Sequence, residues 1–367
     1  MRTFGVEEEL LIVDPDTGEP LPLADRLLAV MGRPQDVTRE FKLEQIEVQT
    51  NPCVTHEELL GQIYHGRHAL DRAARQLEAR IAAMATSPLS SSTHLSQGDR
   101  FASMADEYRI TAQEQLTCGL HVHVSVESQT EGVAVLDRIR EWLPLLVALS
   151  ANSPFWRGAN TGYASFRTQA WNRWPTSGPQ ELIGSVEGYR RLVDSMVRTG
   201  AILDEGMVYF DARLSQRHPT VEVRAADVCL NAVDSALIAV LVRGLVETAA
   251  REAAEGRAPL GTPVAVLRLA SWRASRSGLN DVLLHPLEGR PVPAADALGA
   301  LLEHVGPALS DGGEFGAADK ALWDLVDQGT GERRQRHVAS GDGGLARVVH
   351  AAVEATQQRD GAWDAGA

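Results

Sequence analysis

Residues 4–12, Phe-Gly-Val-Glu-Glu-Glu-Leu-Leu-Ile, carry the alternation of a strand. Phe4, Val6, Leu10 and Ile12 fall on one face, and Gly5, Glu7 and Glu9 on the other. Glu8 falls by parity on the apolar face, where an arginine partner or a sheet edge is expected. Glu7 and Glu9 project side by side about 7 Å apart. Ionised carboxylates that close repel unless a cation lies between them, so the pair suggests a divalent-metal site; the competing reading is a solvated acidic sheet face. Three further segments repeat the pattern. In 45–50, Ile46 and Val48 oppose Gln45, Glu47 and Gln49. In 116–126, the apolar series from Leu116 to Val126 opposes Thr117, Gly119, His121, His123 and Ser125. In 220–225, Val221 and Val223 oppose Thr220, Glu222 and Arg224.

Between these strands the period lengthens to that of helices. Thr55-His-Glu-Glu58 reads as a capping box opening a helix through about Met84, with Leu59, Ile63, Leu70, Leu77 and Ile81 on its apolar face. Glu57, Glu58, Arg67, Arg72, Arg75 and Arg80 are expected on its solvated side. Further helices are expected over 132–149, 185–198 and 231–254, and a strand over 207–214. A polar irregular stretch spans 150–179, the length and composition of a functional loop. A linker is expected over 256–263, then mostly helix, with a frayed tail after Gln357.

The economical solution is an α+β fold in which the strands pair into one twisted, mainly antiparallel sheet. Helices pack on its apolar face, and the other face forms a concave floor gathering Glu7, Glu9, Glu47, His121, His123, Glu222 and Arg224. Such a carboxylate-rich set suits magnesium or manganese better than zinc. Cys118 with His121 and His123 could suggest zinc, but parity puts Cys118 on the opposite face. His121 and His123 as ordinary histidines, and Glu222 with Arg224 as a cross-strand ion pair, are the bland alternatives.

Composition narrows the partners. The 367 residues are 44% hydrophobic, ample for a core, and the net charge of −14 argues against nucleic acid or an anionic membrane as principal partner. No apolar signal segment opens the chain and no run is long enough to span a bilayer, so a cytoplasmic protein is expected. Cys53, Cys118 and Cys229 are too scattered for a disulfide framework and read as reduced thiols. Lys42 and Lys320 are the only lysines, which leaves no Gly-x-x-x-x-Gly-Lys loop; any phosphate must be held by arginine, backbone or metal.

Several motifs, in order, carry a family resemblance: Phe-Gly-Val-Glu-Glu-Glu, Gln-Ile-Glu-Val-Gln-Thr-Asn-Pro (45–52), Gly-Leu-His-Val-His-Val (119–124), Ser-Pro-Phe-Trp-Arg-Gly (153–158), Thr-Gly-Tyr-Ala-Ser-Phe-Arg (161–167) and Thr-Val-Glu-Val-Arg (220–224). Over about residues 2–290 the chain resembles the glutamate–cysteine ligase type 2 family, the YbdK-like carboxylate–amine ligases. The resemblance implies a glutamine synthetase-like catalytic fold over 1–290, with 291–367 a helical extension packed on the same domain. It implies a curved sheet holding ATP and magnesium, and a homodimer or higher homo-oligomer.

Matched position by position, Glu7, Glu9, Glu40, Glu47, His121 and Glu222 correspond to metal ligands, with Glu44 competing with Glu40 as the companion acid. His123 corresponds to a residue near the nucleotide phosphates. Arg224 is placed to hold a phosphate or substrate anion; Arg167, Arg273 and Arg276 are weaker candidates for phosphate or carboxylate contacts. Asn160 stands where an aspartate is expected, which bears on substrate recognition. The implied chemistry is amide formation from a small carboxylate and an amine through an acyl phosphate made with ATP, with glutamate and cysteine the family's namesake substrates. The alternatives are phosphoryl transfer to another acceptor, such as a guanidine, and metal-dependent hydrolysis.

Overall fold

The computed structural model describes residues 2–358. Seven strands form one sheet: β1 Phe4–Val13, β2 Val37–Arg39, β3 Gln45–Gln49, β4 Arg80–Ala82, β5 Gly119–Ser125, β6 Ala212–Leu214 and β7 Thr220–Asp227. The order is β2-β3-β1-β5-β7-β6, every pair antiparallel, with β4 added beside the last residues of β1. Register does the work of assembly. Glu9 lies opposite Glu47, Glu7 opposite His121, His123 opposite Glu222, and Arg213 opposite Glu222. Cross-strand partners share a face, so these residues come together without any loop having to position them.

The opposite face packs on helices. Phe4, Val6, Leu120, Val122, Val124, Val221 and Val223 join one core with α1 His56–Arg75, α2 Gln129–Ile139, α3 Leu143–Leu149 and α4 Ala232–Ala254. The later helices α5 Ala294–Asp311 and α6 Phe315–Gln328 add Leu298, Leu301, Val305, Leu322 and Leu325 to the same core. A second core around Leu10, Ile12, Ile46 and Ile81 takes Val348, Val349 and Val353 from α7 Gly344–Gln357. The tail expected to fray after Gln357 lies, but for Gln358, outside the described residues.

Three elements differ from the sequence expectation. The capping box of α1 is present, Thr55 and Glu58 each satisfying the other's backbone N–H, but the helix ends at Arg75. Glu78 takes a left-handed φ of 56°, the chain reverses, and Arg80–Ala82 pairs with Leu11–Val13. Residues 76–78 are good helix formers, so the stop comes from strand pairing. The helix expected over 132–149 is two, because Pro144 near the start of α3 has no N–H to continue the ladder. The strand expected over 207–214 is reduced to Ala212–Leu214, preceded by a 3-10 turn at Glu205–Met207.

The arginines expected on the solvated side of α1 also divide. Arg72 and Arg75 are exposed, whereas Arg67 is fully buried. Its guanidinium makes a two-pronged ion pair with Glu8, at 2.8 and 2.6 Å, and donates to the carbonyls of Leu230 and Cys229. Ser235 Oγ donates to the same carboxylate at 2.7 Å. Glu8 is thus the inward-facing acid of the triplet, with its charge matched.

Candidate active site

The polar face of the sheet opens into a cleft of about 800 Å³ lined by Glu7, Glu9, Glu40, Glu47, His121, His123, Glu222 and Arg224. Its donor atoms fall into three overlapping groups: Glu7 with His123 and Glu222, Glu7 with Glu47 and His121, and Glu9 with Glu40 and Glu47. Within each group one ligand atom per residue lies within 4.8 Å of the others.

Hydrogen bonds fix the orientation of this floor. Gly119 N donates to Glu9 Oε2 at 2.6 Å, and a Cβ at Gly119 would collide with the Arg167 guanidinium behind it. Thr38 Oγ1 and Gln49 Nε2 donate to Glu47 Oε1 at 3.0 and 2.9 Å. Arg213 grips both oxygens of Glu222, at 2.7 and 3.1 Å, and Arg224 pairs with Oε1. His121 Nδ1 sits 3.1 Å from Glu7 Oε2, and His123 Nδ1 sits 2.9 Å from Thr220 Oγ1. The Nε2 atoms of both imidazoles are buried and make no hydrogen bond. His121 Nε2 lies 3.8 Å from Glu9 Oε1, and His123 Nε2 lies 3.3 Å from Glu7 Oε1.

Charge divides the floor into two ends. Burial opposes ionisation of Glu7, but His121 and His123 outweigh it and hold the carboxyl well below its usual range. Burial likewise opposes ionisation of Glu222, and Arg224 and Arg213 outweigh it. At the other end the compensation falls short: Thr38 and Gln49 at Glu47, and Arg224 at Glu40, are outweighed. Burial pushes Glu40 well up, helped by the charges of Glu47 and Glu9, and pushes Glu47 up to about 7, helped by Glu7 and Glu9. Burial, and then Arg224, push His121 down, so its imidazole is neutral and able to ligate. For His123, burial is outweighed by Glu7 and Glu222, which raise it.

These observations fit a divalent cation. Crowded carboxylate oxygens with raised pKa values and a neutral imidazole with an unpartnered nitrogen make the oxygen-rich set that magnesium or manganese takes. Cys118 is buried in the second core, as parity required. Glu44 is fully buried and bound to the backbone N–H and Nδ1 of His94, so Glu40 is the acid that reaches the floor.

Other candidates lie elsewhere. Arg167 is buried behind the floor with its guanidinium 5.8 Å from the Trp171 ring. Arg273 and Arg276 do not line the cleft. They belong to the helix Val264–Ser277, where Arg276 lies over the Tyr163 ring at 5.7 Å. Asn160 also lies outside the lining; its Oδ1 accepts from Arg336 and from Gly162 N. Sequence reasoning missed Arg213, although the Ala212-Arg213-Leu214 alternation puts it on the polar face with Glu222. It also missed a wall of Phe41, Trp171, Trp174 and Tyr209. These come from loops and short helices, where no period marks a face.

The profile of Glutamate-cysteine ligase family 2 (GCS2) matches residues 3–351. A Paenarthrobacter aurescens protein provisionally named glutamate–cysteine ligase 2-3 is 58% identical over 92% of this chain and 80% of its own length. A second from that organism, provisionally glutamate–cysteine ligase 2-1, is 52% identical over 100% of this chain and 98% of its own. Among solved structures, the glutamate–cysteine ligase of Francisella tularensis in complex with AMP superposes with a TM-score of 0.72 at 15% identity, covering 98% of this chain and 89% of that one. A bifunctional glutathione synthetase from Pasteurella multocida gives 0.71 at 16% identity, covering 97% and 52%. Those two likenesses bear out the α+β fold. The profile match and the sequence identities show that the chain belongs to glutamate–cysteine ligase family 2.

Proposed function

We propose that the cleft couples ATP cleavage to amide formation between a small carboxylate and an amine, with γ-glutamyl transfer to cysteine as the leading pair. Family membership supports the ATP-dependent carboxylate–amine ligase class. The observation that supports placing the chemistry here is the acidic floor, where five carboxylates and two imidazoles converge from the sheet and its flanking loop.

A carboxylate oxygen is too poor a leaving group for an amine to displace at neutral pH. Attack of that oxygen on the terminal phosphorus of ATP expels ADP and gives an acyl phosphate. The amine nitrogen then forms the C–N bond as the C–O bond to phosphate breaks, and the nitrogen gives up a proton. Glu7, Glu9, Glu40, Glu47, His121 and Glu222 would hold magnesium or manganese, which neutralises phosphate charge when bound. Arg213 and Arg224 keep Glu222 ionised and oriented, and Arg224 lies where a transferring anionic group would meet it. The wall of Trp171, Trp174 and Tyr209 shields a water-sensitive intermediate on one side.

We assign the chemistry to residues 1–290, with 291–358 as a supporting extension. No helix among the described residues is long and apolar enough to cross a membrane, and three buried free thiols accord with the reducing cytoplasm. Assembly into a homodimer or higher homo-oligomer is part of the same reading, and sedimentation velocity tests it. The decisive experiment screens amino acids in pairs for ADP release with magnesium and ATP, followed by mass spectrometry of the products. One amide per ADP is expected. ADP without amide, or amide without ATP, overturns the reading.

A further inference from the structure

Two residues beyond Glu40 the chain buries Lys42, one of its two lysines, at 1% exposure. Its Nζ donates to Thr93 Oγ1 at 2.8 Å and to the Gln113 carbonyl at 3.3 Å, and Thr93 Oγ1 donates to that same carbonyl at 2.8 Å. Thr93 and Gln113 lie twenty residues apart in sequence. Between them the chain forms a flap that carries the helix Asp99–Tyr108 and returns through the short helix Ile110–Glu114. Arg100, Phe101 and Met104 of the first helix line the cleft. One buried ammonium thus closes the neck of a flap that walls the site.

The first limb of the flap also holds Glu40. Ser96 Oγ donates to the Glu40 carbonyl, Ser96 N to the Phe41 carbonyl at 3.1 Å, and Leu43 N to the His94 carbonyl at 2.9 Å, around an antiparallel bridge between Lys42 and Leu95. Glu44 fastens the end of this rung, accepting from His94 N at 2.9 Å and facing its Nδ1 at 2.7 Å. Glu40 lies outside the strands of the sheet, so no ladder fixes it as one fixes Glu7, Glu9 and Glu47. A buried ammonium is costly unless its donors are met, and the acceptors that meet them come from both ends of the flap. On its far side the flap is held by Arg100, paired with both oxygens of Asp204 at 3.0 and 2.9 Å. That pair is open to solvent and contributes little, so the neck decides how the flap sits.

We infer that Lys42 and Thr93 are positioning residues, which by closing the neck present Glu40 to the metal and the wall of Arg100 and Phe101 to the substrates. Neither lines the cleft, so both act through the segments they tie together. Phe41 completes the link, its ring 5.8 Å from that of Phe101 and 5.2 Å from Lys42 Nζ. The inference takes the cleft as the place of reaction from the ligase reading and adds the device that assembles it. Opening the neck displaces a metal ligand and a substrate wall in one movement.

Manganese titration read by electron paramagnetic resonance, without ATP, tests the metal end separately from turnover, and brief trypsin digestion read by intact mass tests the flap. Thr93→Val removes the hydroxyl at nearly constant shape, Thr93→Ser keeps it, and Lys42→Met removes the ammonium. Thr93→Val and Lys42→Met each weaken manganese about tenfold and speed cleavage after the exposed Arg100 and Arg109 about tenfold, and Thr93→Ser restores both readings. Added to Glu40→Gln, Thr93→Val weakens manganese no further, because it acts through that acid. General loosening of the fold produces neither the rescue nor this lack of additivity. Thr93 is partly exposed, so its variant folds even if Lys42→Met does not. Unchanged manganese affinity or unchanged cleavage in Thr93→Val, a Thr93→Ser no better than Thr93→Val, additive losses with Glu40→Gln, or no manganese bound by the wild type overturns the inference. If the manganese and cleavage results hold and no amide forms with any pair of amino acids, the neck stands and the ligase reading fails.

Discussion

Glu8 and its neighbours Glu7 and Glu9 are consecutive, yet they face opposite electrostatic worlds. Below the sheet, Glu8 meets Arg67 and Ser235, and the carbonyls of Leu230 and Cys229 accept from the same guanidinium. Above it, Glu9 faces Glu40 and Glu47 with no arginine to match them all, and Glu47 is pushed up to about 7 by burial and by Glu7 and Glu9. Both arrangements are buried carboxylates. The difference is completeness: a charge that arrives with its partner is scaffold, and a charge cluster short of a counter-charge awaits a ligand.

The sharpest way to break this contrast is to unbalance the lower side. Arg67→Met leaves Glu8 buried and unpaired, and urea denaturation should show a loss of about 3–5 kcal/mol. Removing both charges, with Glu8→Leu added, should recover most of that loss. If the single variant costs nothing, the buried pair is not scaffold.

On the upper side the same kind of change should act oppositely. Glu9→Gln keeps an acceptor for the Gly119 N–H while removing one negative charge from the floor. ADP release should fall about 10²–10³-fold, with the urea midpoint unchanged or raised. A variant that turns over normally removes Glu9 from the ligand set.

Magnesium sharpens the comparison further. At about a hundredfold its dissociation constant it should stabilise the wild type by about 2.7 kcal/mol, and Glu9→Gln by less. The deficit of Arg67→Met should be untouched, which differential scanning calorimetry would show.

The smallest effect concerns an acid beside the scaffold pair. Asp234, in the first turn of α4, is buried 4.0 Å from Arg334, and burial raises its carboxyl to about 6 against the pull of Arg334 and Arg67. The folded chain then holds a proton that the unfolded chain releases near pH 4, so this group's stabilisation is lost as pH rises from about 4 to about 6. Asp234→Asn should flatten that part of the stability profile, measured by urea midpoints across the range. An unchanged slope would mean that Asp234 is ionised throughout.

What was legible in the chain follows from the reach of each signal. The floor could be read because a strand's period of two assigns faces locally: Glu7, Glu9, Glu47, His121, Glu222 and Arg224 each declare their side from immediate neighbours. The capping box at Thr55 and Glu58 is local in the same sense. The end of α1 was not legible, because its stop depends on Arg80–Ala82 finding the far end of β1, sixty-odd residues upstream. Arg273 and Arg276, proposed on motif alone, lie on a helix outside the cleft lining, and the aromatic wall comes from segments without a period.

By itself, then, the sequence determined how the acidic triplet divides, since alternation follows from covalent geometry and needs no partner. Only the tertiary structure decided what each division meets. Arg67 reaches Glu8 because α1 packs beneath β1, Glu40 rather than Glu44 reaches the floor because His94 claims the latter, and Asp211 and Arg167 come to line one cavity that no local pattern announces. Counter-charges come from distant parts of the chain, and their presence or absence is a property of packing.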